Sequence, residues 1–225
     1  MNYLHKGLET LQIETVDLPT LEADLMKYIN ELELFNSAYD LTNAENQDDI
    51  VIKHVLDSLS AQKKLVSLIK SPDVKIADIG SGGGLPGIPL SLSLRDFNIT
   101  LVERMSKRCA FLENCTAILG LKNVTIENLE AERVPVNSFD IIVFRAFRPL
   151  DKKMIKTLAR MVKPDGHILA YKAKLEKIKE EMDAIKSLVT EYDIEPLSVP
   201  FLTENEKYER NLVIIKREKV LYQFG

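Results

Sequence analysis

Apolar residues recur at three- and four-residue spacing over the first third of the chain, then gather into short runs separated by amphipathic stretches. In "PTLEADLMKYINELELFNSAY" Leu21, Leu25, Tyr28, Ile29, Leu32 and Phe35 fall on one helical face, with Pro19 and Thr20 as start signals. "DDIVIKHVLDSLSAQKKLVSLIK" repeats the pattern through Ile52, Val55, Leu56, Leu59 and Leu65, which predicts helix up to about Ile69. Ser-Pro-Asp at 71–73 punctuates the chain. Beyond it, strands are predicted at 74–80, 98–103, 123–128, 139–146 and 166–172. Helices are predicted from "LPGIPLSLSL", from Lys107 to Leu119, over 151–162, and from Leu175 to Val189. "YDIEPLSVP" and "RNLVIIK" close the chain as an antiparallel hairpin on the sheet edge. The expectation is an α/β fold: a doubly wound, seven-stranded, mostly parallel sheet with an antiparallel terminal hairpin over 71–225, behind a helical region over 1–70. Ligands of such sheets sit outside the carboxyl ends of the strands, so those ends carry the chemistry to be read.

Composition narrows the class. With 225 residues, 45% of them hydrophobic and 28% charged, the chain can bury a sizeable core. It has no apolar run of the ~20 residues needed to span a bilayer, and "MNYLHKGLET" lacks a signal-peptide pattern. Two cysteines, Cys109 and Cys115, argue for a reducing cytoplasm and for buried structural thiols. His5, His54 and His167 lie far apart, so no metal site is expected. The net charge of −4 conceals an asymmetry: Arg145 to Lys179 carries +8 and the remainder −12. That stretch, with Arg148, Lys152, Lys153 and Lys172, reads either as a solvated helix surface or as a polyanion-binding face.

"IADIGSGGGLPGIPLSL" (76–92) poses the central chemical question. "GGGLPG" matches the dinucleotide pattern G-x-G-x-x-G, while "DIGSGGG" places an acid before G-x-G-x-G. Dinucleotide loops aim backbone N–H groups at a pyrophosphate. Asp78, two residues before Gly80, opposes that anion. S-adenosylmethionine has no phosphate, and its ammonium suits an acid while its carboxylate suits amide donors. Gly80, Gly82 and Gly84 let the backbone approach such a ligand. Glu103, at the end of the second strand, can accept both ribose hydroxyls. Ala131 and Glu132 read either as the adenine edge of the site or as an ordinary helix start.

The end of the fourth strand, "FRAFRPL", is not the Asn/Asp-Pro-Pro-aromatic turn that serves exocyclic amines, and both cysteines fall in the helix after strand two, away from a pyrimidine-carbon nucleophile. An acceptor that is already nucleophilic remains, such as guanine N7, whose lone pair needs positioning rather than a general base.

Together these motifs resemble the GidB/RsmG family, the bacterial 16S rRNA guanine-N7 methyltransferases. The similarity runs from about Phe35 to Lys216. "FNSAYDLTN" with "HVLDSL" resembles the family's N-terminal signature, and "DIGSGGGLPGIPL" its cofactor loop. "LVERMSKRCAFL", "FRAF", "AYKAK" and "ERNLVIIK" are similar to later signatures. The resemblance implies a Rossmann-like class I methyltransferase using S-adenosylmethionine and acting on the small ribosomal subunit; nothing in the sequence calls for more than a monomer. It places Gly80, Leu85, Ala131, Glu132 and Arg145 on cofactor-contacting positions. Arg145 then orients cofactor or substrate, the other reading being a surface salt bridge. Lys172 meets the RNA backbone or is simply solvated. His54 and Asp57, one helical turn apart, are a packing pair or contact RNA or cofactor. Glu130 (commonly Arg in the family), Phe144 (Ser), Ala173 (Gly), Arg148 and Pro149 depart from the family pattern. Two other functions compete: a nicotinamide-dependent oxidoreductase built on "GGGLPG", which Asp78 opposes, and a non-catalytic rRNA-binding or assembly factor.

Overall fold

The computed structural model describes residues 2–13, 17–145, 148–205 and 207–221. Ala146 and Phe147, part of the "FRAF" motif and of the predicted end of strand four, lie outside the described residues.

Seven strands form one sheet: β1 (Lys75–Ile79), β2 (Asn98–Val102), β3 (Val124–Glu127), β4 (Phe139–Arg145), β5 (Val162–Lys172), β6 (Asp193–Pro196) and β7 (Asn211–Lys216), in the order β3-β2-β1-β4-β5-β7-β6. β1 to β5 pair in parallel, and β7 runs antiparallel to both β5 and β6. The hairpin is as expected, but of its two strands only β6 lies at the sheet edge: β7 inserts beside β5. Its residues Asn211 to Ile215 are all buried, and Leu212, Val213, Ile214 and Ile215 form the uninterrupted apolar run of a strand covered on both faces.

Helices cover both sheet faces. α1 (Tyr3–Leu11), α2 (Leu18–Tyr39), α5 (Gln62–Leu68), α6 (Gly87–Ser93) and α7 (Ser106–Ile118) share one apolar cluster with Ile76, Leu101, Val143, Tyr171 and Leu212 of the sheet. α8 (Lys152–Met161) and α9 (Leu175–Ile185) pack on the other face against Ile79, Ile142, Phe144 and Val213. The helices before β1 therefore share a core with the sheet. Phe144 belongs to the α8/α9 side, and Arg145, one residue on, emerges on the α2 side; strand alternation separates the two.

The second predicted helix is not a continuous α-helix. α3 (Gln47–Ile50) passes into a π segment, Val51–Leu56, and then into α4 (Asp57–Leu59). The apolar spacing does not reveal the wider turn. Its physical role is visible in the sheet: the carbonyls of Lys53 and His54 accept from Arg145 Nη1 at 3.2 and 3.4 Å. Elsewhere β5 begins at Val162, four residues earlier than expected, because α8 stops at Met161 and the backbone turns directly into pairing with Phe139. α9 ends at Ile185, leaving Val189 to bridge Val220.

Candidate functional site

The loop after β1 crosses the end of β2, where the amides of Gly80 and Ser81 donate to Val102 O at 2.8 and 3.1 Å. Gly80, Gly82 and Gly84 all adopt positive φ, at 72°, 58° and 89°. They do so for different reasons. A Cβ on Gly82 would meet nothing nearer than Arg108 Nη1 at 3.8 Å, so that position borders open space. A Cβ on Gly84 would strike Ile88 Cγ1 at 2.5 Å and Leu112 Cδ2 at 2.9 Å, so Gly84 faces the core. The hydroxyl of buried Tyr28, on α2, donates to Gly83 O at 2.6 Å and ties the loop to the helical layer.

Asp78 is fully buried beneath this loop. Its Oδ2 accepts from the amide of Gly87, at the start of α6, at 2.9 Å, and Oδ1 has no partner among the described residues. Burial pushes its carboxyl up to about 7, against the pull of the Gly87 amide and of Arg145. The motif predicts a ligand-facing Asp78; its carboxyl lies beneath the loop, where β1 directs Oδ2 to the Gly87 amide at the start of α6.

Two cavities meet at Gly80 and Arg108. The smaller, about 190 Å³, is lined by Glu103, Arg104, Met105, Leu129, Glu130, Ala131 and Arg148. Glu103 Oε2 accepts from Gly82 N at 3.0 Å and Oε1 from Met105 N at 2.8 Å. Each oxygen keeps a second acceptor direction. Glu132 does not line this cavity; it holds Arg148 Nη1 at 3.2 Å, and its carboxyl is lowered by local backbone hydrogen bonding and by Arg148.

The larger cavity, about 550 Å³, is bounded by the loop after β1, the π segment and the ends of β4, β5 and β7. Among the described residues Lys53, Arg108, Arg145, Lys172 and Arg210 line it against a single carboxylate, Asp57. Arg145 Nη1 lies 2.9 Å from Asp57 Oδ2, and Nη2 lies 3.1 Å from His54 Nδ1. Arg210 Nε approaches Asp57 Oδ1 at 3.2 Å. Lys53 and Lys172 are tied to Asp49 and Glu181 outside the lining, at 2.8 and 2.5 Å. Burial first, and then the Arg145 charge, push the His54 imidazole down to about 3, so it is neutral at working pH.

The structure thus brings Gly80, Gly82, Leu85, Arg145 and Lys172 to the larger cavity, and Gly80, Glu103, Ala131 and Arg148 to the smaller. Gly84, Asp78 and Glu132 support the walls, while Lys152 and Lys153 stand exposed at the start of α8. His54 and Asp57 are not a mere packing pair: they anchor Arg145 at the cavity wall. Sequence reading missed Arg108, Tyr171, Arg210 and Lys53. Arg108 had a signal, as the basic start of the helix after strand two. Tyr171, which donates to Ser58 O at 2.8 Å, and Arg210 reach the site only through sheet pairing, which leaves no spacing pattern. Cys109 and Cys115 line neither cavity, and burial raises both thiols, Cys115 to about 12. Among the described residues no group of His, Cys, Asp or Glu is placed to hold a metal ion, and no helix is long and apolar enough to cross a membrane.

The fold is that of class I methyltransferases. An S-adenosylmethionine-dependent methyltransferase from Aquifex aeolicus superposes with a TM-score of 0.53 at 19% identity, covering 71% of this chain and 92% of that one. The tRNA (m1A58) methyltransferase TrmI from the same organism gives 0.55 at 12% identity, covering 75% and 69%. In sequence, the ribosomal RNA small subunit methyltransferase G of Treponema denticola is 39% identical across 95% of this chain and 93% of its own length. The protein of that name from Polynucleobacter asymbioticus is 32% identical across 93% and 95%. The profile of the GidB family, rRNA small subunit methyltransferase G, matches residues 21–213, and the chain belongs to that family.

Proposed function

We propose that this protein transfers a methyl group from S-adenosylmethionine to N7 of a guanine in the 16S rRNA of the small ribosomal subunit, working as a cytoplasmic monomer. The observation that carries this reading is the junction at Gly80 of an acid-bearing cavity and a cation-walled one, in a chain of this family. The site fits the cofactor: Gly82 offers open space where a Cβ would stand, and Glu103 is held by two amides with acceptor capacity to spare for a ribose diol. Ala131 lines the smaller cavity with Glu103, where the adenine would lie. The cationic wall suits a carboxylate beside the loop and RNA phosphates farther out.

Bound there, S-adenosylmethionine supplies an electrophilic methyl group on a sulfonium. Guanine N7 carries a free lone pair and loses no proton on methylation, so the residues need only align it. Among the described residues of the larger cavity neither titratable partner of Arg145 is poised as a base: His54 is paired to Arg145, and Asp57 is held between Arg145 and Arg210. Arg145 therefore serves orientation. Arg148, Lys152, Lys153 and Lys172 lie on the same basic stretch of chain and position phosphates, while the cavity selects the base.

The test uses small subunits from cells lacking this protein. They are incubated with the purified protein and S-adenosylmethionine, and 7-methylguanosine in digested 16S rRNA is quantified by mass spectrometry. A gain requiring both protein and cofactor is the expected result. Cofactor binding without methylation would favour an assembly factor, and no cofactor binding would overturn the reading.

A further inference from the structure

A guanidinium donates and never accepts, so the 3.1 Å contact between Arg145 Nη2 and His54 Nδ1 makes Nδ1 the acceptor. With the ring neutral, its one proton sits on Nε2. That N–H is buried and has no partner among the described residues, yet its ring lines the larger cavity. Buried donors are nearly always satisfied, so an orphan donor on a ring that borders the cavity points to a partner that arrives with a ligand, once the side chains covering Nε2 give way.

Which acceptor it awaits follows from the surroundings. Carboxylates and phosphates already have five cationic side chains on this wall. A neutral donor beside an arginine whose charge is balanced by Asp57 suits a neutral carbonyl. On the Hoogsteen edge guanine presents N7 and O6 as acceptors, whereas adenine presents N7 and an N6 donor. Methylation places a positive charge on the purine, so a neutral donor holds O6 without adding a like charge. Building on the methyl-transfer reading above, we propose that His54 is the guanine-selecting residue, its Nε2–H donating to O6 of the target base while N7 stays free for the methyl group. Adenine would set its amino group against this N–H, leaving two donors face to face. Arg145 fixes the tautomer and the Lys53 and His54 carbonyls fix Arg145, so the π segment, Arg145 and His54 act as one positioning unit.

The experiment compares small subunits carrying guanine with reconstituted subunits carrying 2-aminopurine, which lacks O6, at the methylated position. Three proteins are assayed: wild type, His54→Asn and His54→Gln. Asn can accept from Arg145 but puts no donor at the Nε2 position; Gln places an amide N–H near it. Wild type is expected to lose roughly 10- to 100-fold in kcat/KM on 2-aminopurine, the effect of one unsatisfied buried donor. His54→Asn is expected to lose a similar factor on guanine and nothing further on 2-aminopurine, with its Kd for S-adenosylmethionine and its Tm unchanged. His54→Gln recovers part of the guanine rate. Equal rates of the wild type on the two bases would overturn the assignment, whether or not the variants fold. So would a loss in His54→Asn that appears in cofactor Kd, or one that is the same on both bases. Failure of the wild type to methylate guanine at all would sink the methyl-transfer reading instead.

Discussion

Arg145 Nη1 and Asp57 Oδ2 lie 2.9 Å apart, joining the end of β4 to the turn that follows the π segment. The side chains are 13% and 4% exposed, and the guanidinium also holds two backbone carbonyls and His54. This pair fastens the helical layer to the carboxyl edge of the sheet. Unlike an exposed ion pair it is buried, and removing Arg145 would leave the Asp57 carboxylate to Arg210 alone, 3.2 Å away.

Arg145→Ala should therefore cost stability as well as activity, up to about 3–5 kcal/mol, the penalty for a half-broken buried pair, less what Arg210 retains for Asp57. Arg145→Lys keeps the charge but not the planar fork that reaches four acceptors, so it should remain folded with much reduced methylation. Urea denaturation of Arg145→Ala, Asp57→Asn and the double variant would measure this. A coupling of zero would show that the pair is not a unit.

The glycines of the loop separate packing from binding. Gly84→Ala forces a Cβ to 2.5 Å from Ile88 at φ 89° and should destabilise by roughly 1–3 kcal/mol or more. Gly82→Ala meets open space and carries only the left-handed backbone cost, about 1–2 kcal/mol. Its damage should appear in cofactor affinity. Calorimetric melting and cofactor titration of the two variants should rank them in opposite orders.

These contrasts show what the chain discloses unaided. Period and punctuation were enough to place all seven strands within a few residues, because runs such as Ile76–Ile79 and Leu212–Ile215 are buried on both faces and read as such. Glu103 and the glycine loop were legible because local geometry sets their roles. Asp78 was legible as important but not as buried: its direction depends on Gly87, nine residues on, whose missing Cβ makes room for it. The Arg145 cage was not legible. It gathers residues 53, 54, 57 and 210 around 145, and it depends on a π turn that apolar spacing does not encode.

Glu103 is the natural probe of cofactor binding. Glu103→Gln replaces one acceptor oxygen by an NH₂ group, so it cannot accept from both Gly82 N and Met105 N. One amide loses its partner and the ribose loses an acceptor. Affinity for S-adenosylmethionine should fall roughly 10- to 100-fold, the effect of one or two hydrogen bonds to a charged group, with the fold retained. Isothermal titration gives the answer directly, and an unchanged Kd would remove Glu103 from the binding site.

Asp78 makes stability depend on pH in an unusual direction. Its carboxyl is pushed from an ordinary 3.8 up to about 7, chiefly by burial, so the folded protein holds a proton that the unfolded chain releases. A group raised in the folded state stabilises fully below its unfolded value and loses that contribution as pH rises through the folded one. Between about pH 4 and 7 the wild type should thus lose stability relative to Asp78→Asn, by on the order of 1.4 kcal/mol per pH unit at most. His54 works oppositely: held down to about 3, it adds stability as pH rises toward 6.5. Because it is present in both proteins, it cancels in the difference. Asparagine keeps an oxygen for the Gly87 amide and no charge, so the two proteins should be nearly matched at pH 4 and diverge toward pH 8, with the variant the more stable. Denaturant midpoints across that range test this. A difference that stays flat with pH would mean that Asp78 is ionised throughout, its charge met by a partner other than the Gly87 amide.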